Sequence, residues 1–182
     1  MNITPARQHT PILFSSLPSL PAPRLLTDTQ TSVLSLLEQM PILERQGCVV
    51  HSLNPCPEYL DDLWQLRPCV LLSGPQAQAT LDWALERAAS GQRYRQAARF
   101  TSSLIPSERV LLRYLPSGLS NKHIAKRLKL SDRTVRNRLV DIGEKLGLDN
   151  RTQIAMYYAG QWQWLERYRN LWHCPEVLNA AD

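Results

Sequence analysis

The sequence predicts a two-domain protein, in which a small α/β domain with a parallel sheet precedes an all-α domain of four helices. Between residues 24 and 91, short apolar runs alternate with amphipathic helical segments, which is the pattern of βαβ units. Charge also divides the chain. Residues 1–100 hold eight Arg, no Lys and eight acids, whereas residues 101–182 hold thirteen Lys or Arg and eight acids. A neutral domain followed by a basic one indicates that the second half binds a polyanion.

Length and composition favour a protein with a packed core and no membrane contact. The chain has 182 residues, 43% of them apolar, enough for one domain or two small ones. No run of about 18 apolar residues occurs, and the N-terminal apolar run is shorter than that of a secretory signal and lies among prolines. We therefore expect a cytoplasmic protein.

The cysteines do not predict a metal site. Neither a CxxC pair nor the Cys/His spacing of zinc ligands occurs among Cys48, Cys56, Cys69 and Cys174. His173 stands beside Cys174 without further ligands. We expect reduced thiols, no metal and no cofactor.

Local composition divides the chain into five parts. Five prolines among serines and threonines at the N-terminus predict an extended segment that buries little. The predicted parts are a Pro-rich flexible arm (1–23), the α/β domain (24–91), a linker (92–103), the helical domain (104–160) and an aromatic C-terminal helix or tail (161–182).

The α/β domain is predicted to contain about three strands. The continuous apolar run CVLLSG, bounded by prolines, is typical of a buried parallel strand. Helical spacing of apolar residues marks the intervening segments. The predicted strands are 24–28, 48–53 and 69–74, and the predicted helices are 31–40, 57–66 and 78–91.

The helical domain is predicted to contain a helix-turn-helix. Its first helix covers about 107–115, with Val110, Leu111 and Leu115 inward, and Pro116 should stop or distort it. The second begins after Ser120 and the third after Ser131, since serine is a good N-cap. Lys129 and Leu130 form the connection. The third helix ends near Leu146, where Gly147 follows, and the fourth begins near residues 150–151.

The third helix has two distinct faces. At about 100° per residue, the core stripe comprises Val135, Leu139, Ile142 and Leu146. The opposite face carries Arg133, Asn137 and Val140, with Arg136 on the flank. Arg can pair bidentately with guanine, Asn with adenine, and Val can touch a thymine methyl in the major groove of B-DNA.

Residues around this helix suit phosphate contacts, which position a helix without reading sequence. Seven Lys or Arg and one acid, Asp132, occur between residues 120 and 138. The predicted phosphate contacts are Ser120, Lys122, Lys126, Thr134, Arg138, Lys145 and Arg151. The alternative is a helical bundle whose basic face only keeps it soluble.

From about residue 104 to 159 the chain resembles the C-terminal DNA-binding domain of LuxR-type transcriptional regulators. The similar motifs are GLSNKHIA, LSDRTVRN and KLGLDNRTQIA. The resemblance implies Arg136 and Asn137 as the main base readers, with Arg133 and Val140 at nearby bases. It also implies dimerisation through the fourth helix, including Ile154, Tyr157 and Tyr158. Two residues depart from the family pattern: Arg138, where His is common, and Pro116, where the first helix usually continues.

Residues 24–91 resemble a shortened, degenerate receiver domain. CVLLSG aligns with either the third or the fifth receiver strand. Phosphoryl acceptance needs an Asp nucleophile, acids that hold Mg²⁺ and a Lys. Asp28 is one such acid, but residues 69–75 contain no Asp and residues 1–100 no Lys. A small-molecule-sensing domain, which usually needs a longer segment, is the alternative.

These observations predict a sequence-specific DNA-binding transcriptional regulator that works without phosphorylation. Its expected partners are double-stranded DNA, a second subunit (a homodimer, or a heterodimer with another regulator) and RNA polymerase. The alternative is an adaptor that pairs with another regulator and binds DNA weakly or not at all. The aromatic tail would either extend the fourth helix and dock on the protein, or form a partner interface. No catalytic set is recognisable, so an enzyme is not expected.

Overall fold

The computed structural model describes residues 21–28, 33–96, 101–163 and 165–166. Most of the predicted N-terminal arm and of the aromatic tail lies outside these residues. The first part consists of β1 (Arg24–Asp28), α1 (Val33–Gln39), α2 (Ile42–Arg45), β2 (Cys48–Ser52), α3 (Pro57–Gln65), β3 (Val70–Ser73), α4 (Gln78–Ala89) and β4 (Tyr94–Arg95). The second consists of α5 (Pro106–Leu112), α6 (Asn121–Leu128), α7 (Asp132–Leu146) and α8 (Arg151–Tyr158). The predicted fold class, a parallel α/β part followed by a helical part, is confirmed.

The sheet contains four parallel strands in the order β1-β2-β3-β4, one more than predicted. The additional strand, β4, lies in the segment predicted as a linker. Tyr94 donates its backbone N–H to the carbonyl of Cys69 at 3.0 Å, and Gln96 donates to Leu71 at 2.9 Å. A strand of two residues has no detectable alternation of apolar and polar side chains, so only its pairing partner reveals it.

Helices cover both faces of the sheet. Cys48, Val50 and Leu71 belong to one apolar cluster with α1 and α3. Val49, Val70 and Leu72 belong to a second cluster with α4. Because successive side chains of a strand point to opposite faces, this alternation places α1 and α3 on one face and α4 on the other.

The larger cluster continues into the helical part. It joins Leu63 of α3 to Leu111, Ile124, Val135, Ile142 and Ile154 of the helical part, all at most 1% exposed. The rings of Tyr59 and Tyr158 meet edge to face, with centroids 5.4 Å apart. The two predicted domains therefore share a continuous apolar core.

Two predicted features of the first helix of the helical part are wrong. Helix α5 begins at Pro106 and ends at Leu112, and turns lead from there to Gly118. Val110, predicted to face inward, is 37% exposed, whereas Leu112 is fully buried. The helix ends a turn before Pro116, which fits the inability of proline to continue a helix.

The described cysteines, Cys48, Cys56 and Cys69, are free and buried. Burial raises the pKa of each thiol. Among the described helices, none is both long and apolar enough to cross a membrane.

Candidate nucleic-acid interface

Helices α6 and α7 form the predicted pair with a tight connection. Ser120 caps α6 by accepting the N–H of His123, and Ser131 caps α7 by accepting the N–H of Thr134 at 3.0 Å. Between the helices, Lys129 adopts the left-handed conformation with φ 56°, and Leu130 donates to the carbonyl of Ala125 at 2.8 Å. The connection is short because the left-handed residue reverses the chain at once.

Core packing determines which face of α7 is exposed. Val135 and Ile142 are fully buried, and Leu139 is 8% exposed, as predicted. Leu146, the last residue of the predicted stripe, is only partly buried. The helix is therefore held along one side, and the other side faces solvent over its full length.

The four predicted base readers share this exposed side. Arg133, Arg136, Asn137 and Val140 are all exposed, and 60% of Val140 is accessible. Two guanidinium groups, an amide and an apolar side chain thus lie together along one helix face. This combination offers donors for guanine, a donor–acceptor pair for adenine and a surface for a thymine methyl.

The predicted phosphate contacts fall into two groups. Lys122 and Lys126 are exposed on α6, and Arg138 is half-buried on α7. The hydroxyls of Ser120 and Thr134 already take part in the helix caps, at 2.8 Å from His123 Nδ1 and 2.7 Å from Ser131 Oγ respectively. A hydroxyl can donate and accept together, so a cap does not prevent a further contact.

Two residues predicted to contact phosphate are engaged inside the helical part. Lys145 donates from Nζ to both carboxylate oxygens of Glu108, at 2.7 and 2.9 Å, and Glu108 is 3% exposed. Arg151 donates to the side chain of Asn121 and to the carbonyl of Leu119, and burial lowers its pKa. These side chains join α7 to α5 and α8 to α6. The sequence contains no spacing that would indicate such long-range pairs.

Two of the three residues predicted to form a dimer surface, Tyr157 and Tyr158, contact the α/β part of the same chain. Ile154 is 1% exposed and Tyr158 2% exposed. Tyr157 is half-buried and donates its hydroxyl hydrogen to Glu58 at 2.8 Å. In this arrangement the chain's own α3 contacts two of the three α8 residues that the prediction assigned to a second subunit, and Ile154 belongs to the apolar core.

Buried acids on α3 explain this contact. Glu58 and Asp62, each 1% exposed, lie one helical turn apart. Asp62 accepts from Arg113 Nε and Nη2 at 2.9 and 2.8 Å and from Tyr158 at 2.7 Å, and this bonding raises the pKa of Arg113. Glu58 accepts from Ser102 at 2.6 Å. Because buried carboxylates need donors, these bonds attach the helical part to α3.

Comparison with known proteins gives matches to the helical part. Residues 102–158 match the family described as bacterial regulatory proteins, luxR family. HTH-type transcriptional regulator Rv0890c of Mycobacterium tuberculosis (strain ATCC 25618 / H37Rv) is 44% identical over 80 residues, which are 43% of this chain and 9% of that protein. DNA-binding transcriptional activator DevR/DosR of the same strain is 45% identical over 56 residues, 31% of this chain and 26% of that protein. The chain therefore spans only a small share of the length of these relatives.

Solved response regulators are similar at low identity. ChrA, of a heme-sensing two-component system, is 23% identical over 75% of this chain and 74% of its own, with a TM-score of 0.31. RcsB of Salmonella enterica serovar Typhimurium, bound to promoter P1flhDC, is 20% identical over 69% of this chain and 66% of its own, with a TM-score of 0.42. The assignment of the helical part accordingly rests on the family match to residues 102–158.

Proposed function

Since residues 102–158 are a helix-turn-helix domain of the luxR family, we propose that this protein binds double-stranded DNA sequence-specifically and regulates transcription. The observation that carries the proposal is the exposed face of α7, where Arg133, Arg136 and Asn137 lie opposite the buried stripe. An α-helix fits the major groove of B-DNA, and these side chains match the donor and acceptor pattern of bases there.

Within this proposal, the residues of α7 read bases. Arg136 and Asn137 lie side by side on the exposed face and contact the main specific base pairs. Arg133 lies about one turn earlier and Val140 about one turn later, so each reaches a neighbouring base pair. Base-reading side chains spread along one helix face thus contact successive base pairs in the groove.

Phosphate contacts come mainly from Lys122, Lys126 and Arg138. Lys122 and Lys126 are exposed on α6 and Arg138 is half-buried on α7, and none of the three takes part in an ion pair among the described residues. The hydroxyls of Ser120 and Thr134 add weaker contacts near the two helix N-termini. We assign Lys145 and Arg151 a structural role, because both use their donors within the helical part.

The experiment that tests base reading starts with selection of bound sequences from a random duplex library by the full chain. Arg136→Ala and Asn137→Ala should each lose about 1–3 kcal/mol at particular base pairs. Arg136→Lys is the matched control, because it keeps the charge and loses the planar fork. It should lose the base preference while the salt dependence of binding stays close to wild type. Equal losses on selected and random DNA would contradict base reading.

We further propose that the α/β part works without phosphorylation. The carboxyl ends of its strands carry Asp28, Ser52, Ser73 and Gln96 as neighbours. The Asp28 carboxylate accepts from Ser52 at 3.2 Å, and no lysine occurs in residues 1–100. This set lacks the Lys and the further acids that phosphoryl transfer requires. Incubation with acetyl phosphate should leave DNA affinity unchanged, whereas a phospho-aspartate that alters affinity would contradict the proposal.

A second candidate is an adaptor that pairs with another regulator. It is favoured by the shortened α/β part, whose strand ends lack the lysine and further acids of a phosphoryl-accepting site, so that this part would work through protein contacts. A gel shift on genomic fragments separates the two functions. A pure adaptor should select no sequence, while a regulator should retard a defined subset.

A further inference from the structure

The first turn of α7 contains an acidic side chain whose role differs from that of its basic neighbours. Asp132 is the first residue of α7, and its Oδ2 accepts a hydrogen bond from Nη2 of Arg136 one turn later. The side chain of Arg136 is 66% exposed and that of Asp132 39% exposed. The ion pair therefore lies at the surface that would meet DNA.

Stability does not account for this pair. Exposed ion pairs at this spacing contribute little, because solvent screens them and both side chains lose freedom. The stronger effect is on the direction of the Arg136 side chain, since a carboxylate at one end restricts a guanidinium that would otherwise rotate freely. The Nη1 donors, and the second donor of Nη2, stay available for the two acceptors of a guanine.

Asp132 also affects binding of DNA regardless of sequence. The N-terminus of a helix attracts phosphate through its free N–H groups and dipole. A carboxylate at that position repels phosphate. Arg136 compensates the Asp132 charge only while the two side chains stay paired. If Arg136 turns to a phosphate instead, the uncompensated carboxylate repels the DNA backbone. The pair therefore disfavours sequence-independent association of this helix end with DNA.

We propose that Asp132 is a positioning residue for base recognition, which orients Arg136 toward its base and weakens binding to random DNA. This inference rests on the proposed function of α7 as the helix that reads DNA. It assigns specificity to a side chain that bears the same charge as the DNA.

The test compares Asp132→Asn with Asp141→Asn in the full chain. Asp141 is an exposed acid on the same helix, and the structure gives it no ion pair among the described residues. Both variants remove one negative charge, so they share any general gain in attraction to DNA. Asp132→Glu, which keeps a carboxylate in the first turn of α7, serves as the conservative variant.

Affinities are measured on a duplex selected by the wild type, on that duplex with the Arg136 base pair changed, and on a random duplex. Asp132→Asn should bind random DNA more tightly than Asp141→Asn does, and its preference at the Arg136 base pair should fall about 10-fold. Asp141→Asn should keep the preference, and Asp132→Glu should restore most of it. Circular dichroism of each variant verifies that α7 is folded.

An unchanged preference in Asp132→Asn, or an equal loss in both Asn variants, would overturn the positioning role while leaving DNA binding intact. If the wild type selects no sequence at all, the proposed function fails first, and this inference fails with it. The two failures are therefore distinguishable in one set of measurements.

Discussion

Tyr158, on α8, donates its phenolic hydrogen to Asp62 on α3 at 2.7 Å. Both residues are at most 2% exposed. A second bond reinforces the contact, since the side-chain amide Nδ2 of Asn54 donates to the backbone carbonyl of Tyr158 at 2.9 Å. One buried carboxylate thus joins the helical part to the α/β part.

Loss of the Asp62 carboxylate should destabilise the whole chain. Asp62→Ala leaves Arg113 and Tyr158 without their acceptor in a buried site, and breaking a buried pair in this way costs about 3–5 kcal/mol. Because Arg113 retains partial contact with solvent, we expect a value near the lower limit. Urea unfolding measures the change in free energy.

Asp82→Ala is the control for this change. Asp82 is an exposed acid on α4 that bonds only Gln78 in the described hydrogen bonds. Its removal should change the free energy of unfolding by less than about 0.5 kcal/mol. Similar losses in the two variants would show that Asp62 contributes as an ordinary surface acid.

Alkaline pH should lower the free energy of unfolding through ionisation of the Tyr158 hydroxyl. Burial, together with the nearby Asp62 charge, raises the pKa of Tyr158 above the ordinary tyrosine value of about 10. The unfolded chain therefore releases this proton at a lower pH than the folded chain. The stabilisation is complete below pH 10 and decreases above it, by about 1.4 kcal/mol per pH unit for one such group.

The variant that isolates this effect is Tyr158→Phe. Other groups, including the buried thiols, add to the alkaline loss in the wild type, so the informative quantity is the difference in slope between the two proteins. We expect the free energy of unfolding to decline less steeply with pH in Tyr158→Phe than in the wild type. Tyr157→Phe should remove a further part of this decline, because burial raises the Tyr157 pKa as well. Identical slopes in urea unfolding between pH 9 and 11 would contradict the assignment.

Lys145 and Lys126 should respond differently to neutralisation. Lys145→Met leaves the buried Glu108 carboxylate without its ammonium partner, which should cost about 1–3 kcal/mol of stability. Lys126→Met removes an exposed charge and should leave stability unchanged. In DNA binding the order reverses. Lys126→Met should lower the slope of log K against log salt by about 0.9, and Lys145→Met should keep the wild-type slope.

Gly143 should not tolerate a side chain, although it lies inside a helix. A Cβ at this position would lie 2.6 Å from the carbonyl oxygen of Leu148, in the turn between α7 and α8. Alanine would gain about 1 kcal/mol in helix propensity, but overpacking against backbone costs about 1–3 kcal/mol. Since that turn is itself held by a 2.8 Å bond from Leu148 N to Gly143 O, we expect a net loss in Gly143→Ala. A raised thermal midpoint would show that propensity outweighs the contact.

Local chemistry was sufficient for the predictions that the structure confirms. Ser120 and Ser131 cap their helices because a hydroxyl can reach an N–H only three residues away. The exposed face of α7 follows from the helical repeat of its apolar residues. Strand β3 was visible as a continuous apolar run, which is the pattern of a strand buried on both faces, and β1 and β2 followed from the alternation of short strands with helical segments.

The sequence by itself therefore determined the class of each half, the helix boundaries around α7 and the face that carries Arg136 and Asn137. Tertiary structure decided the pairing of β4 with β3, the capture of Lys145 by Glu108 and the burial of Tyr158 against Asp62. Caps and helical faces depend on neighbours within about four residues, so they can be predicted from the sequence alone. The other three contacts join residues from 24 to 96 positions apart, and such pairs exist only once packing has brought distant side chains together.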